Sequence, residues 1–172
     1  GLQEVEGARK QLAEVEALAA RYPELGTLRQ ASGELSRGIE AYQAAVERTR
    51  QAAEAVTADR AQLVRDADRF FSHAYSYLKH QTEALAGDVS ARAAPEKVLP
   101  RLEKLTLIND VIDLGNATRL AVGEAQLTRD GSHLGAARDA LDKIDRLVDR
   151  LVPLTHQASN LKELAEIRAS AK

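Results

Sequence analysis

A heptad pattern of mostly apolar residues runs without a break through residues 35–84 of this chain. Its members recur at alternating steps of four and three: Leu35, Ile39, Tyr42, Val46, Thr49, Ala53, Val56, Arg60, Leu63, Ala67, Phe70, Ala74, Tyr77, Gln81 and Ala84. This spacing keeps the side chains on one face of a helix. Thr57 and Asp59 can cap a helix, but a break there would shift the heptad register, which is kept. We therefore predict a single helix over about residues 24–86, roughly 90 Å long, a length suited to connecting or separating two places.

Three further helices are predicted around this long one. Residues 2–21 form an amphipathic helix that ends at Pro23, because proline disfavours helical backbone in the residue before it. A third helix is expected over residues 96–129, after a loop that begins at Gly87. Asp130 and Gly131 form the next turn, and a fourth helix over residues 132–171 is expected to kink at Pro153.

The predicted lengths constrain the packing. The first helix covers only the early part of the long helix, whereas the third and fourth both pack on its later part. Three helices then share that later level, and four-helix bundles are the common closed arrangement. The sequence thus predicts an all-α, elongated antiparallel bundle whose fourth place is filled by a missing helix or a partner subunit. The chain contains no Met, so we expect residues 1–172 to be a single elongated helical piece of a longer protein.

Composition argues against several functional classes. The net charge is −2 and aromatic residues make up 3% of the chain, so it has neither the basic patch nor the stacking platforms of a nucleic-acid-binding protein. It has no Cys, and its four histidines, His73, His80, His133 and His156, are too scattered for a metal site. We find no nucleophile elbow, phosphate loop or acid–base pair. We therefore expect no enzyme activity, no cofactor and no bound metal.

The third helix departs from the apolar pattern at Arg119. On a helical wheel this arginine falls in the apolar sector, and Gly115 and Gly123 lie one turn before and after it. A buried guanidinium needs a partner, and a pair of glycines suggests cleared space. Asn116 and Gln126 lie nearby. One hypothesis is an anion or carboxylate site with Arg119 as a bidentate clamp.

The alternative hypothesis is structural. Arg119 then extends to the surface or pairs with an aspartate, and the glycines let two helices approach closely. Other polar exceptions also have ordinary explanations. Asn109, Asp110 and Asp113 are interpreted as a solvated face of the third helix, and polar seam residues such as Arg60 and Gln81 as fixing the helix register.

Two parts of the sequence resemble a known family. They are KLTLINDVIDLGNATR at residues 104–119, followed by AQLTRD at residues 125–130, and FFSHAYSYLKHQ at residues 70–81. These segments are similar to the helical bimodular sensor domains of bacterial methyl-accepting chemotaxis receptors, which also occur in some sensor histidine kinases. The remainder agrees in helix order and length only.

The resemblance implies a function and a location. Such a domain lies in the periplasm, is anchored in the inner membrane by flanking helices, forms a homodimer and binds a small metabolite, often an organic acid. Arg119 would be its ligand arginine, with Arg129 a second candidate. The family's first membrane-connected helix, which usually supplies further ligand arginines, is not matched here. The rival prediction is a structural or adaptor protein in which the long helix only sets a distance.

Overall fold

All regular structure among the described residues of this protein is α-helical. The computed structural model describes residues 2–22, 24 and 26–172, apart from the side chains of Leu2 and Gln3, and the predicted corner at Pro23 lies outside these residues. The helices are α1 (Leu2–Arg21), α2 (Gly26–Ser90), α3 (Pro95–Thr128), α4 (His133–Leu154) and α5 (Ala158–Ser170). The predicted all-α class is confirmed.

The chain divides into two compact units, Gly1–Arg60 and Ala61–Lys172. In the first unit, α1 and the beginning of α2 pack along a narrow line. Val5, Leu12 and Ala19, spaced seven residues apart, are the buried apolar side chains described for α1. The guanidinium of Arg29 on α2 donates a hydrogen bond to the backbone oxygen of Ala19, with an N–O distance of 3.3 Å. A seven-residue spacing gives one line of contact, which is what a single neighbouring helix can cover.

Much of the heptad face in the first unit is not covered by the described residues. Leu35, Tyr42 and Val56 are exposed, and so is every residue from 48 to 60. Arg50 in this stretch pairs with Glu47 and Glu54 of its own helix, at N–O distances of 2.7 and 2.5 Å. Ion pairs of this kind on one helix are typical of a solvated surface and contribute little stability.

The second unit is built around a core to which four helices contribute. Its buried residues lie at the end of α2, in the middle of α3, in the later part of α4 and in α5: Phe70, Ala74, Tyr77, Leu107, Ile108, Val111, Ile112, Ile144, Val148, Leu151, Leu164 and Ile167. Helices α3 and α4 are antiparallel, since Glu124 lies 3.4 Å from His133 and Glu103 lies 3.8 Å from Arg150. The core therefore extends along one face of each helix.

The chain reverses after α4, so the predicted continuous helix over residues 132–171 is wrong. Pro153 lies in the last turn of α4, and Thr155 and Gln157 have extended backbone, with φ/ψ of −110°/123° and −78°/129°. Helix α5 then runs back along α4, and Arg168 forms ion pairs with Asp145 and Asp149. The predicted fourth place is thus occupied by α5 of the same chain, and the expectation of a missing helix or a partner subunit there is wrong.

Polar contacts join α5 and the preceding turn to α2. Glu163 accepts a hydrogen bond from the hydroxyl of Ser76, and its other oxygen lies 3.4 Å from Nδ1 of His80. The hydroxyls of Tyr77 and Thr155 are 2.8 Å apart, and burial raises the pKa of Tyr77. Hydrogen bonds between buried side chains are directional, so they fix the register of α5 on α2.

The α2–α3 corner is held by one buried carboxylate. Asp88 is 7% exposed and pairs with two residues of α3, Lys97 at 2.7 Å and Arg101 through its Nε. Hydrogen bonds from Lys97 and Arg101 hold the pKa of Asp88 below its ordinary value of 3.8. The carboxylate therefore favours the folded corner only while it is ionised.

This corner predicts a pH dependence of stability. Because the folded pKa of Asp88 is lowered, its contribution is complete above about pH 5 and is lost as the pH falls through the lowered folded value. Asp88→Asn should make the free energy of unfolding less dependent on pH in that acidic range, as measured by urea denaturation at a series of pH values. Asp59→Asn, at an exposed position, is the control and should follow the original protein. An unchanged pH profile for Asp88→Asn would contradict the assignment.

Candidate functional site

The four residues predicted to bind a ligand all lie at the surface of α3 or at its end. Arg119, Asn116, Gln126 and Arg129 are exposed. The guanidinium carbon of Arg119 lies 5.2 Å from the centre of the Phe71 ring, a cation–π contact. Arg129 ends α3 with a left-handed backbone, φ 56° and ψ 28°. The expectation that Arg119 points into the apolar interior is therefore wrong.

Arg119 is exposed because the core of the second unit ends before this residue. The buried residues of α3 extend from Leu107 to Gly115, and the later turns are half-buried or exposed. A helical wheel gives the direction of Arg119 but does not show whether another helix covers that direction. An arginine on a partly covered face can lay its stem on apolar surface and keep its charge in water.

The two glycines have different roles. A Cβ on Gly115 would lie 2.5 Å from Cε1 of Phe70 and 3.2 Å from Cζ of Phe71. Around Gly123 nothing described lies within 4 Å of that position. The structural interpretation is thus confirmed at Gly115, where glycine lets α3 approach the two phenylalanine rings of α2. At Gly123 neither hypothesis explains the residue.

A charged groove lies between α3 and α4 at the surface of the second unit. It is wide open to solvent and has a volume of about 650 Å³, and its lining residues are Asp110, Asp113, Leu114, Lys143, Arg146, Leu147 and Arg150. The acidic residues lie on α3 and the basic residues on α4, whereas Leu114 and Leu147 are half-buried between the two walls. The basic residues are spaced i, i+3 and i+7, which places them on one face of a helix.

The charges of the groove are largely unneutralised. At one end Arg150 reaches across to Glu103, with an N–O distance of 3.8 Å. Within the part of the chain that the structure describes, Asp110, Asp113, Lys143 and Arg146 have no oppositely charged side chain within 4.0 Å. Charged groups beside apolar surface are well suited to hold a small ionic ligand with an apolar body.

Sequence reasoning located only half of this groove. Asp110 and Asp113 were expected to be exposed on α3, and they are, but their neighbours on α4 could not be identified. The available signal was the spacing of Lys143, Arg146 and Arg150. That pattern is common on solvated helices. Only the packing of α3 against α4 places Asp110 and Asp113 opposite the basic residues.

Neither a metal-binding cluster nor a membrane-spanning helix is found among the described residues. Among the described residues, no group of three or more His, Cys, Asp or Glu side chains is arranged to hold a metal ion. Helices in the described ranges are all too short or too polar to cross a membrane.

Comparisons of this chain with protein-family models, with curated proteins and with solved structures found no match.

Proposed function

We propose that this chain is the periplasmic ligand-sensing domain of a membrane-anchored chemotaxis receptor, and that it binds a small metabolite through a carboxylate group in the groove between α3 and α4. The observation that carries the proposal is the basic wall of this groove, where Lys143 and Arg146 lie beside Leu114 and Leu147 without an ionic partner among the described residues. The resemblance of residues 104–119 to helical bimodular sensors supports it, since this segment supplies one wall. A homodimer and membrane anchors outside this chain belong to the same proposal.

The groove suggests how binding is converted to a signal. A ligand shifts a conformational equilibrium only when it binds two packings with different affinities. A ligand whose carboxylate is held by Arg146 and Lys143 would contact α3 through Leu114 and α4 through Leu147, so the affinity of the ligand depends on the spacing of the two helices. Small displacements of packed helices are a common form of such a change.

Titration calorimetry on the full chain tests the proposal. The probes are small carboxylates with apolar bodies, offered with and without an amino group. We expect at least one to bind, and we expect Arg146→Gln to weaken that binding by about 10- to 100-fold, because a hydrogen bond to a charged group is worth about 1.5–3 kcal/mol.

Arg119→Gln is the matched control, since Arg119 is also an exposed arginine of the same unit. If Arg119→Gln weakens binding and Arg146→Gln does not, the ligand site is the one predicted from sequence. If no carboxylate binds, the sensor proposal fails.

A helical spacer is the second candidate function, and one specific observation favours it. Every residue from 48 to 60 of α2 is exposed, as expected for a helix that connects rather than packs. A spacer needs no ligand and would show no thermal shift with any carboxylate. The calorimetric panel therefore distinguishes the two functions.

A further inference from the structure

The groove between α3 and α4 has two walls of opposite charge, and no ion pair within 4.0 Å joins Asp110 or Asp113 to Lys143 or Arg146. The Glu103–Arg150 pair fixes the register of the antiparallel helices. Asp110 lies seven residues after Glu103 on α3, and Lys143 lies seven residues before Arg150 on α4. Seven residues are about two helical turns. These two residues therefore lie at the same level on facing walls, yet no ion pair joins them within 4.0 Å.

We propose that this groove is selective for a zwitterion, a free amino acid with an apolar side chain. The inference rests on the proposed ligand-sensing function and names its ligand class. Asp110 and Asp113 receive the α-ammonium group, Lys143 and Arg146 receive the carboxylate, and the apolar side chain lies on Leu114 and Leu147.

The charges of the walls argue against ligands of a single sign. An anion that satisfies Lys143 and Arg146 leaves Asp110 and Asp113 facing it, and like charges in a shared site are unfavourable. A simple amine that pairs with Asp110 and Asp113 would face the like charges of Lys143 and Arg146. A ligand that carries both charges, on two groups attached to one carbon, can place an opposite charge against each wall.

The floor of the groove favours an apolar side chain. Leu114 and Leu147 are half-buried, and apolar surface of this kind gains free energy when a ligand covers it. At one end of the groove, Glu103 and Arg150 already pair with each other. The ligand is thus expected to bind nearer to Asp110 and Lys143.

Three related probes test the inference by calorimetry on the full chain. They are L-leucine, N-acetyl-L-leucine, which lacks the ammonium charge, and L-leucinamide, which lacks the carboxylate. L-leucine is expected to bind at least tenfold more tightly than either analogue. Asp110→Asn should reduce the preference for L-leucine over N-acetyl-L-leucine to near parity, whereas Asp59→Asn, in the other unit, should preserve it.

The possible outcomes separate this inference from the proposed function. If N-acetyl-L-leucine binds as tightly as L-leucine and Arg146→Gln weakens both, the groove recognises an anion, so the zwitterion inference is overturned and the proposed function stands. If L-leucinamide binds as tightly as L-leucine, the carboxylate is not recognised and both fail. If L-leucine does not bind up to about 10 mM while another carboxylate does, only the zwitterion inference is overturned. Binding of none of the panel overturns both.

Discussion

Replacing Leu164 by alanine is expected to lower the free energy of unfolding by about 2–5 kcal/mol, the usual cost of truncating a leucine in a packed core. Leu164 lies on α5, is 0% exposed and belongs to the core shared with α2, α3 and α4. Its truncation removes apolar contacts and leaves a cavity that the surrounding helices can fill only in part. Urea denaturation followed by circular dichroism measures the change.

The same helix offers a matched control. Leu161 is 36% exposed and lies outside the shared core, so Leu161→Ala should cost less than about 1 kcal/mol. A large difference between the two variants means that α5 folds back onto the bundle. Equal and small effects would mean that α5 does not pack there and that the fourth place of the bundle is open after all.

Gly115→Ala is expected to destabilise the protein even though alanine is the better helix former. The added methyl would meet the Phe70 ring at 2.5 Å, and Phe70 is buried. Overpacking of this kind costs about 1–3 kcal/mol. The gain in helix propensity is only about 1 kcal/mol, so the expected net loss is on the order of 1 kcal/mol.

Gly123→Ala, two turns later on α3, should have the opposite sign. No described atom lies within 4 Å of its new Cβ, so only the propensity gain of up to about 1 kcal/mol remains. The midpoint of thermal unfolding should therefore fall for Gly115→Ala and rise for Gly123→Ala. If both variants were stabilised, the close approach of α3 to Phe70 would be contradicted.

The sequence predicted the helical class because heptad spacing and helix-breaking residues are local properties. Pro95 begins α3, and Gly131 lies in the turn before α4, close to the predicted places. It did not predict the reversal after α4. Pro153 was expected to kink a continuous helix, but a proline in the last turn can also mark the end of a helix. The outcome depends on which of two arrangements has the lower free energy: α5 packed on the core through Leu164 and Ile167, or α4 continued as a longer helix. This is a tertiary effect.

The ligand site was harder to predict for the same reason. The wheel correctly placed Arg119 beside apolar residues, but the core ends at Gly115, so the arginine is exposed over Phe71. The groove requires Asp110 and Lys143 to face each other across two helices. This arrangement depends on the register of α3 against α4. That register cannot be predicted from the spacing of charges within one helix.

The most direct test of the account is to map the binding of L-leucine on the isotope-labelled full chain by NMR. The account predicts that chemical shifts change along both walls of the groove, around Asp110 to Leu114 on α3 and around Lys143 to Arg150 on α4. Shifts that instead cluster at Arg119 and Arg129, or no change in any shift up to about 10 mM L-leucine, would contradict the binding of a zwitterion in this groove.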